Sequence, residues 1–296
     1  MRFINNSWQI VGYRDISHGM ARNLNLVIAP DGTPYIAFGD YNIGFYHASV
    51  MRFNGSGWEY VGQAGFSNGE AIDVKLAINS KGVLYVAYID YDNQSSVIAK
   101  QFNSLVWVTL GEADISDRYA NDISLAINKN DIPYIAYVTF SPVKFQTKVK
   151  LFNGCAWELL GITNFTNKEV YGVDLKISND GIPYIVFYTQ SMQLILSTYL
   201  DNEWKEIGTN FLTYSGDPKL VIYDNTPYIA FRDYNYQYKL TVINFINNKW
   251  DIVGDEGFTA IYADNFDFAI SPDGTPYAVY DDYNSLNYAV SVMGYL

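Results

Sequence analysis

Four Asp-Tyr pairs recur at one place in the sequence pattern: Asp40-Tyr41, Asp90-Tyr91, Asp233-Tyr234 and Asp282-Tyr283. A carboxylate can accept sugar hydroxyls or bind a cation, and a tyrosine ring offers a flat apolar face with a polar rim. Thr139 and Thr189 take the acidic place in two other segments, so the acids are confined to part of the molecule. The structural alternative is an Asx cap that ends a strand. A second set is Asn23, Asp73, Asp122, Asp217 and Asn265, interrupted by Gly172. Such oxygen ligands suit a hard cation, with Ca²⁺ possible at Asp73, Asp122 and Asp217, or simply ordered water. Asp90-Tyr91-Asp92-Asn93 has part of a calcium loop but lacks its glycine and closing Glu. Arg14, Arg22, Arg118 and Arg232 form a third set. Arginines can clamp a carboxylate bidentately, although scattered surface arginines are the ordinary case.

Composition removes several classes of partner. A formal net charge of −12 argues against nucleic acid and against an anionic membrane surface, both of which call for a basic patch. Cys155 stands alone and there are two histidines, His18 and His47, so neither a disulfide framework nor a Cys/His metal site is expected. No apolar run is long enough for a membrane span, and the first residues read as part of a repeat rather than as a signal peptide.

The elements that must position these residues are visible as two ladders. Trp8, Trp58, Trp107, Trp157, Trp204 and Trp250 recur every 46–50 residues, each with a glycine four residues on. Tyr35, Tyr85, Tyr134, Tyr184, Tyr228 and Tyr277 form the second ladder, in phase with the first. This period suits a propeller blade. Within each period the hydrophobicity alternates with period two, as strands do. Four strands per unit are expected: A near Leu24–Ala29, B near Pro34–Asp40, C near His47–Phe53 and D near Gly57–Gly62. Asp31-Gly32, Lys81-Gly82, Asp180-Gly181 and Asp273-Gly274 supply the A–B turns, with Asp131 and Asn225 in the glycine place of blades three and five.

The reading is therefore all-β: one six-bladed β-propeller domain over 1–296, with four antiparallel strands per blade. The blades fall near 23–62, 73–111, 122–161, 172–208, 217–254 and 265–296, the last completed by 1–12. The segment Trp8 to Gly12 is expected to close the ring as the outer strand of the last blade, which would remove exposed edges. Short A–B and C–D turns share one face. The longer D–A and B–C loops share the other, which is the candidate ligand face. The D–A loops repeat an apolar residue before Ser or Thr, as in Phe66-Ser67 and Ile115-Ser116, which reads as a plug with a capping hydroxyl. The recurring Trp and Tyr residues read as packing between blades.

The unit from Leu76 to Asp90 resembles NHL-like six-bladed propeller repeats. The fuller unit, W-x-x-V-G followed by D-G-x-P-Y-I-A-F-x-D-Y, is similar to propeller repeats of bacterial surface proteins. That resemblance implies ligand or partner binding, and a cell-surface or secreted setting. Sialidases are the nearest enzyme comparison, but the segment Asn54-Gly55-Ser56-Gly57-Trp58 lacks their Asp box and no arginine triad can be placed. The expected function is a non-catalytic, lectin-like module for carbohydrate or a protein partner. It would use Asp40, Tyr41, Asp90, Tyr91, Asp233, Tyr234, Asp282 and Tyr283 on the loop face. The alternatives are a sialidase-like glycosidase or lyase, and a structural repeat domain of a larger surface protein.

Overall fold

The computed structural model describes every residue except 1, 5, 6, 117, 142, 143, 163, 164, 167, 209–214, 285, 286 and 296. At 2–4, 7, 8, 141, 144, 145, 215, 282–284 and 287–289 it describes the backbone alone. Six antiparallel sheets follow one another along the chain as the blades of an all-β, six-bladed β-propeller. Blade one runs Ala21–Ile28, Pro34–Asp40, His47–Phe53 and Trp58–Tyr60, paired in that order as strands A to D. Blade two repeats this as Ala71–Ile78, Leu84–Asp90, Ser96–Phe102 and Trp107–Thr109. Blades three to five follow the same order, and blade six has three strands: Phe266–Ile270, Pro276–Asn284 and Asn287–Gly294.

Two compact units divide the chain, 1–140 with 150–158 and 141–149 with 159–296. In the first, alternate residues of strand B build two separate cores. Val86 and Tyr88 face blade one beside Ala37, Val50 and Trp107. Tyr85, Ala87 and Ile89 face blade three beside Ile123, Tyr137 and Trp157. In the second unit, Val186 and Leu196 pack on Leu220, Ile229 and Phe231, and Val242 packs on Phe268 and Tyr280. Strands buried on both faces explain why strand B is almost continuously apolar.

The tryptophan ladder is a set of cross-blade hydrogen bonds. Trp58 Nε1 donates to the Val11 carbonyl at 2.8 Å, Trp107 to Val61 at 2.8 Å and Trp157 to Leu110 at 2.7 Å. Trp204 donates to Leu160 at 2.9 Å, and Trp250 to Gly208. The following glycine is required by both its conformation and its neighbour. Gly62 has φ +72°, and a Cβ there would lie 2.9 Å from Phe102 and 3.3 Å from the Trp107 indole. The expected A–B turns are present, with Asp131 and Asn225 at φ +63° and +58° where the other blades use glycine.

Closure at the amino terminus differs from expectation. Ser7–Gln9 pairs with Arg2–Ile4 in register Phe3↔Trp8, and the last sheet keeps three strands. A partner a few residues away costs far less loop-closure entropy than one nearly the whole chain away. At Gly254, where other blades seat an indole, the Tyr295 ring lies 3.1 Å from the Cβ position.

Candidate functional site

Strand B ends in an acid that is largely enclosed. The Asp40 carboxylate is fully buried, with Oδ1 accepting the Asn42 N–H at 3.1 Å and Oδ2 the Tyr60 hydroxyl at 2.8 Å. Burial, reinforced by that carboxylate, pushes the Tyr60 phenol up to about 12. Asp233 repeats the arrangement, accepting from Asn235 N at 3.0 Å and from Thr241 Oγ1 at 3.1 Å. Each acid caps a 3₁₀ turn, Tyr41–Ile43 and Tyr234–Tyr236. The cap turns the next side chain outward. Tyr41 is 45% and Tyr91 59% exposed, whereas Tyr234 is half-buried with its ring 4.6 Å from that of Tyr238. Asp282 and Tyr283 stay within their strand, opposite Ala289 and Tyr288, and their side chains lie outside the described residues.

The acids at the start of strand A have a structural reason. Asn23, Asp73, Gly172 and Asp217 adopt φ between +50° and +61°, at breaks in the A–B register. A bulge with left-handed φ favours Gly, Asn and Asp, so the type is selected by the backbone. Their charges are also engaged. Asp73 Oδ1 lies 2.6 Å from Lys75 Nζ, and its Oδ2 accepts the Ile123 N–H of the next blade at 2.8 Å. Asn25 makes the same staple to Leu76 N, and Asp174 to Leu220 N, each at 2.8 Å. Asp217 is paired with Arg232, and Asp122 is half-buried. Among the described residues no three His, Cys, Asp or Glu side chains are grouped as a cation would require. The arginines serve separate local contacts. Arg22 stacks 3.8 Å over Tyr46, Arg118 reaches Gln94 at 2.9 Å, and Arg14 is exposed.

Blade two departs from this pattern. Asp90 caps through Oδ1, which accepts Asn93 N at 3.2 Å, but it opens onto a recess of about 370 Å³. Exposed Asn68, Asp92 and Asn93 rim the recess, and buried Tyr88, Ile98 and Lys100 line its interior. Strand register explains the grouping. Tyr88 and Asp90 lie two apart on strand B, opposite Ile98 and Ser96, while Lys100 is opposite Val86 and Thr109. All of these side chains therefore share one face of the blade. Burial raises the Asp90 carboxyl, with the nearby Asp92 adding to it, and burial lowers the Lys100 ammonium. Burial also raises the Tyr88 phenol, which is fully enclosed and has no hydrogen-bond partner among the described residues.

Sequence reasoning found Asp90 and overlooked Tyr88 and Lys100. The signal was in the repeat columns. The Tyr88 column reads Phe38, Tyr88, Tyr137, Phe187, Phe231 and Tyr280. The Lys100 column reads Met51, Lys100, Lys150, Ser197, Ile243 and Met293. Blade three has the same Tyr and Lys but Thr139 for the acid, and both Tyr137 Oη and Lys150 Nζ donate to the Ile115 carbonyl. Blade two alone combines Tyr, Asp and Lys in these columns.

The D–A loops are plugs. Phe66 stacks on Trp107 at 4.6 Å and Phe165 on Trp204 at 4.7 Å. The following hydroxyl ties the loop to the preceding blade, as where Ser67 Oγ accepts Ala48 N at 2.9 Å and donates to Gly69 O at 2.7 Å.

No protein-family model matches the chain, and no curated protein sequence does. Solved structures match it in fold. A protein of unknown function from Dyadobacter fermentans is 11% identical with a TM-score of 0.59, over 96% of each chain. An ulvan lyase of polysaccharide lyase family PL25 is 10% identical with a TM-score of 0.60, over 91% of this chain and 77% of its own. The fucose-recognising lectin of Aleuria aurantia, a six-bladed β-propeller, is 11% identical with a TM-score of 0.58, over 90% of this chain and 93% of its own. At these identities the likeness concerns the fold. Among the described residues no helix is long and apolar enough to cross a membrane.

Proposed function

We propose that this propeller is a non-catalytic carbohydrate-binding module that meets its ligand on the face of the D–A and B–C loops. The supporting observation is a polar recess on that face, lined by Asp90 and rimmed by Asn68, Asp92 and Asn93, with the exposed Tyr91 next to Asp90 in the chain. An aromatic platform beside convergent donors and acceptors suits a sugar, which has an apolar ring face and a hydroxyl edge. Lectins and a polysaccharide lyase among the fold neighbours are in keeping with this reading. An array of neutral and acidic glycans tests it. Binding that drops about tenfold on Tyr91→Ala, roughly the 1.4 kcal/mol of one lost ring contact, supports it. A blank array from folded protein counts against it, and capture of a protein in a parallel pull-down would then favour a protein partner.

A second reading draws on the opposed shifts of Asp90 and Lys100. A carboxyl held more protonated and an amine held less protonated than usual are the poise of an acid and a base. On this reading the recess turns over a polysaccharide as a glycosidase or lyase. New reducing ends or unsaturated products from bound glycans, abolished by Asp90→Asn, would favour it over simple binding.

A further inference from the structure

We propose that the recess of blade two is a single-copy site for the vicinal diol of a neutral sugar unit, held by Tyr88, Asp90 and Lys100. This deepens the carbohydrate-binding reading and rests on it.

The first ground is the unpartnered phenol. Tyr88 is 0% exposed, lines the recess, and its hydroxyl has no partner among the described residues. Leaving a buried hydroxyl unpaired costs free energy, and deleting it for a phenylalanine would relieve that cost. Blades one, four and five have that phenylalanine, as Phe38, Phe187 and Phe231. Blades three and six also have tyrosine there, but Tyr137 donates to the Ile115 carbonyl and Tyr280 to the Met293 sulfur, so among the described residues blade two keeps a hydroxyl that its own packing does not use. Lys100 repeats the point. It is 9% exposed at a place where blades one and six use Met51 and Met293, and burying its amine is unfavourable.

The second ground is the sense of the groups. Tyr88 and Lys100, which line the recess, are donors, and Asp90 is an acceptor whose Oδ1 already takes Asn93 N. Asp92 Oδ2 is engaged by Glu70 N at 3.0 Å. One sugar hydroxyl can donate to Asp90 while accepting from Lys100, and its neighbour can accept from Tyr88. The first hydroxyl is then satisfied in both senses, and the second gives the phenol its missing acceptor. Charge selects against an acidic sugar. Asp90 and Asp92 outnumber Lys100 in the recess, with Glu70 and His47 nearby. A ligand carboxylate would face net repulsion. The volume suits one monosaccharide unit with its glycosidic link directed to solvent.

The substitutions that test this are supplied by the sibling blades, which limits the risk of misfolding. Saturation-transfer NMR and calorimetric titration would use the methyl glycosides of L-fucose, D-galactose, D-mannose and D-glucose, with methyl N-acetylneuraminate as the acidic control. At least one neutral glycoside is expected to bind, and Tyr88→Phe and Lys100→Met each to weaken it tenfold or more. The melting temperature of both free variants is expected to equal or exceed that of the parent. Neutral glycoside binding that survives both substitutions unchanged overturns the site while leaving carbohydrate binding in place. Preference for the acidic control overturns the charge argument. A lowered melting temperature for Tyr88→Phe assigns the phenol to the fold and overturns its ligand role. No binding by any glycoside or by the glycan array overturns both readings.

Discussion

An indole N–H joins each of blades one to five to the segment before it. The Trp107 bond to the Val61 carbonyl is 2.8 Å long and buried. Trp107→Phe keeps most of the ring and leaves that carbonyl unpaired, so it is expected to lower stability by about 1–3 kcal/mol. Denaturant unfolding measures this, and an unchanged midpoint would show that water replaces the indole. Asp90 gives a second residue-scale prediction, with a pH dependence. Its carboxyl is raised by burial, so the folded chain holds the proton more tightly than the unfolded chain. As pH climbs above the ordinary value of 3.8, the unfolded chain releases its proton first and stability falls. Asp90→Asn, which retains an acceptor for Asn93 N, is therefore expected to melt higher than the parent at pH 7. That gain should fade as pH is lowered toward 4. A gain that is constant with pH would contradict it.

At the scale of elements, residue type followed backbone demand more closely than chemistry. Strands B and C of blade one span the residues that alternation indicated, Pro34–Asp40 and His47–Phe53. Strand A begins earlier, at Ala21, because a bulge lets Arg22 and Asn25 both pair although the register shifts between them. That bulge was invisible in an apolar/polar pattern. Its Asn and Asp residues looked like ligands because oxygen-bearing side chains serve both purposes. The two kinds of glycine can be separated experimentally. Gly32 has φ +85° with nothing near its Cβ position, so Gly32→Ala meets only the left-handed penalty, about 1–2 kcal/mol. Gly62→Ala meets the same penalty plus a 2.9 Å clash with Phe102. Thermal melts of the two variants are expected to differ, Gly62→Ala lying lower.

For the whole molecule, fold was legible because symmetry repeats a packing requirement six times, and averaging over blades strengthens every column. The same averaging hid the candidate site. Tyr88, Asp90 and Lys100 matter by occurring together in one blade, and a consensus read column by column discards combinations. The amino-terminal strand was misjudged for a related reason, since the repeat suggested a partner in the last blade while Ser7–Gln9 pairs with Arg2–Ile4. Deleting residues 1–12 still removes the Val11 carbonyl that receives the Trp58 indole at 2.8 Å. Loss of about 1–3 kcal/mol, localised by hydrogen exchange to blade one, is the expected result. Unaltered exchange there would show that the bond contributes nothing. The acidic balance, with a sequence pI near 4.5, predicts minimum solubility close to that pH, which turbidity across a pH series would measure.

The direction of the indole bonds has a consequence in time. Each donor lies 42–47 residues after its acceptor, so the outer strand of a newly made blade receives its indole bond from the tryptophan of the blade that follows. During synthesis, each outermost strand must then wait for roughly one more blade to leave the ribosome. A nascent chain stalled just before Trp107 should yield to a brief protease pulse at the Val61 segment, and one stalled well beyond it should resist. Assembly would proceed as a row of latches, each thrown by its successor.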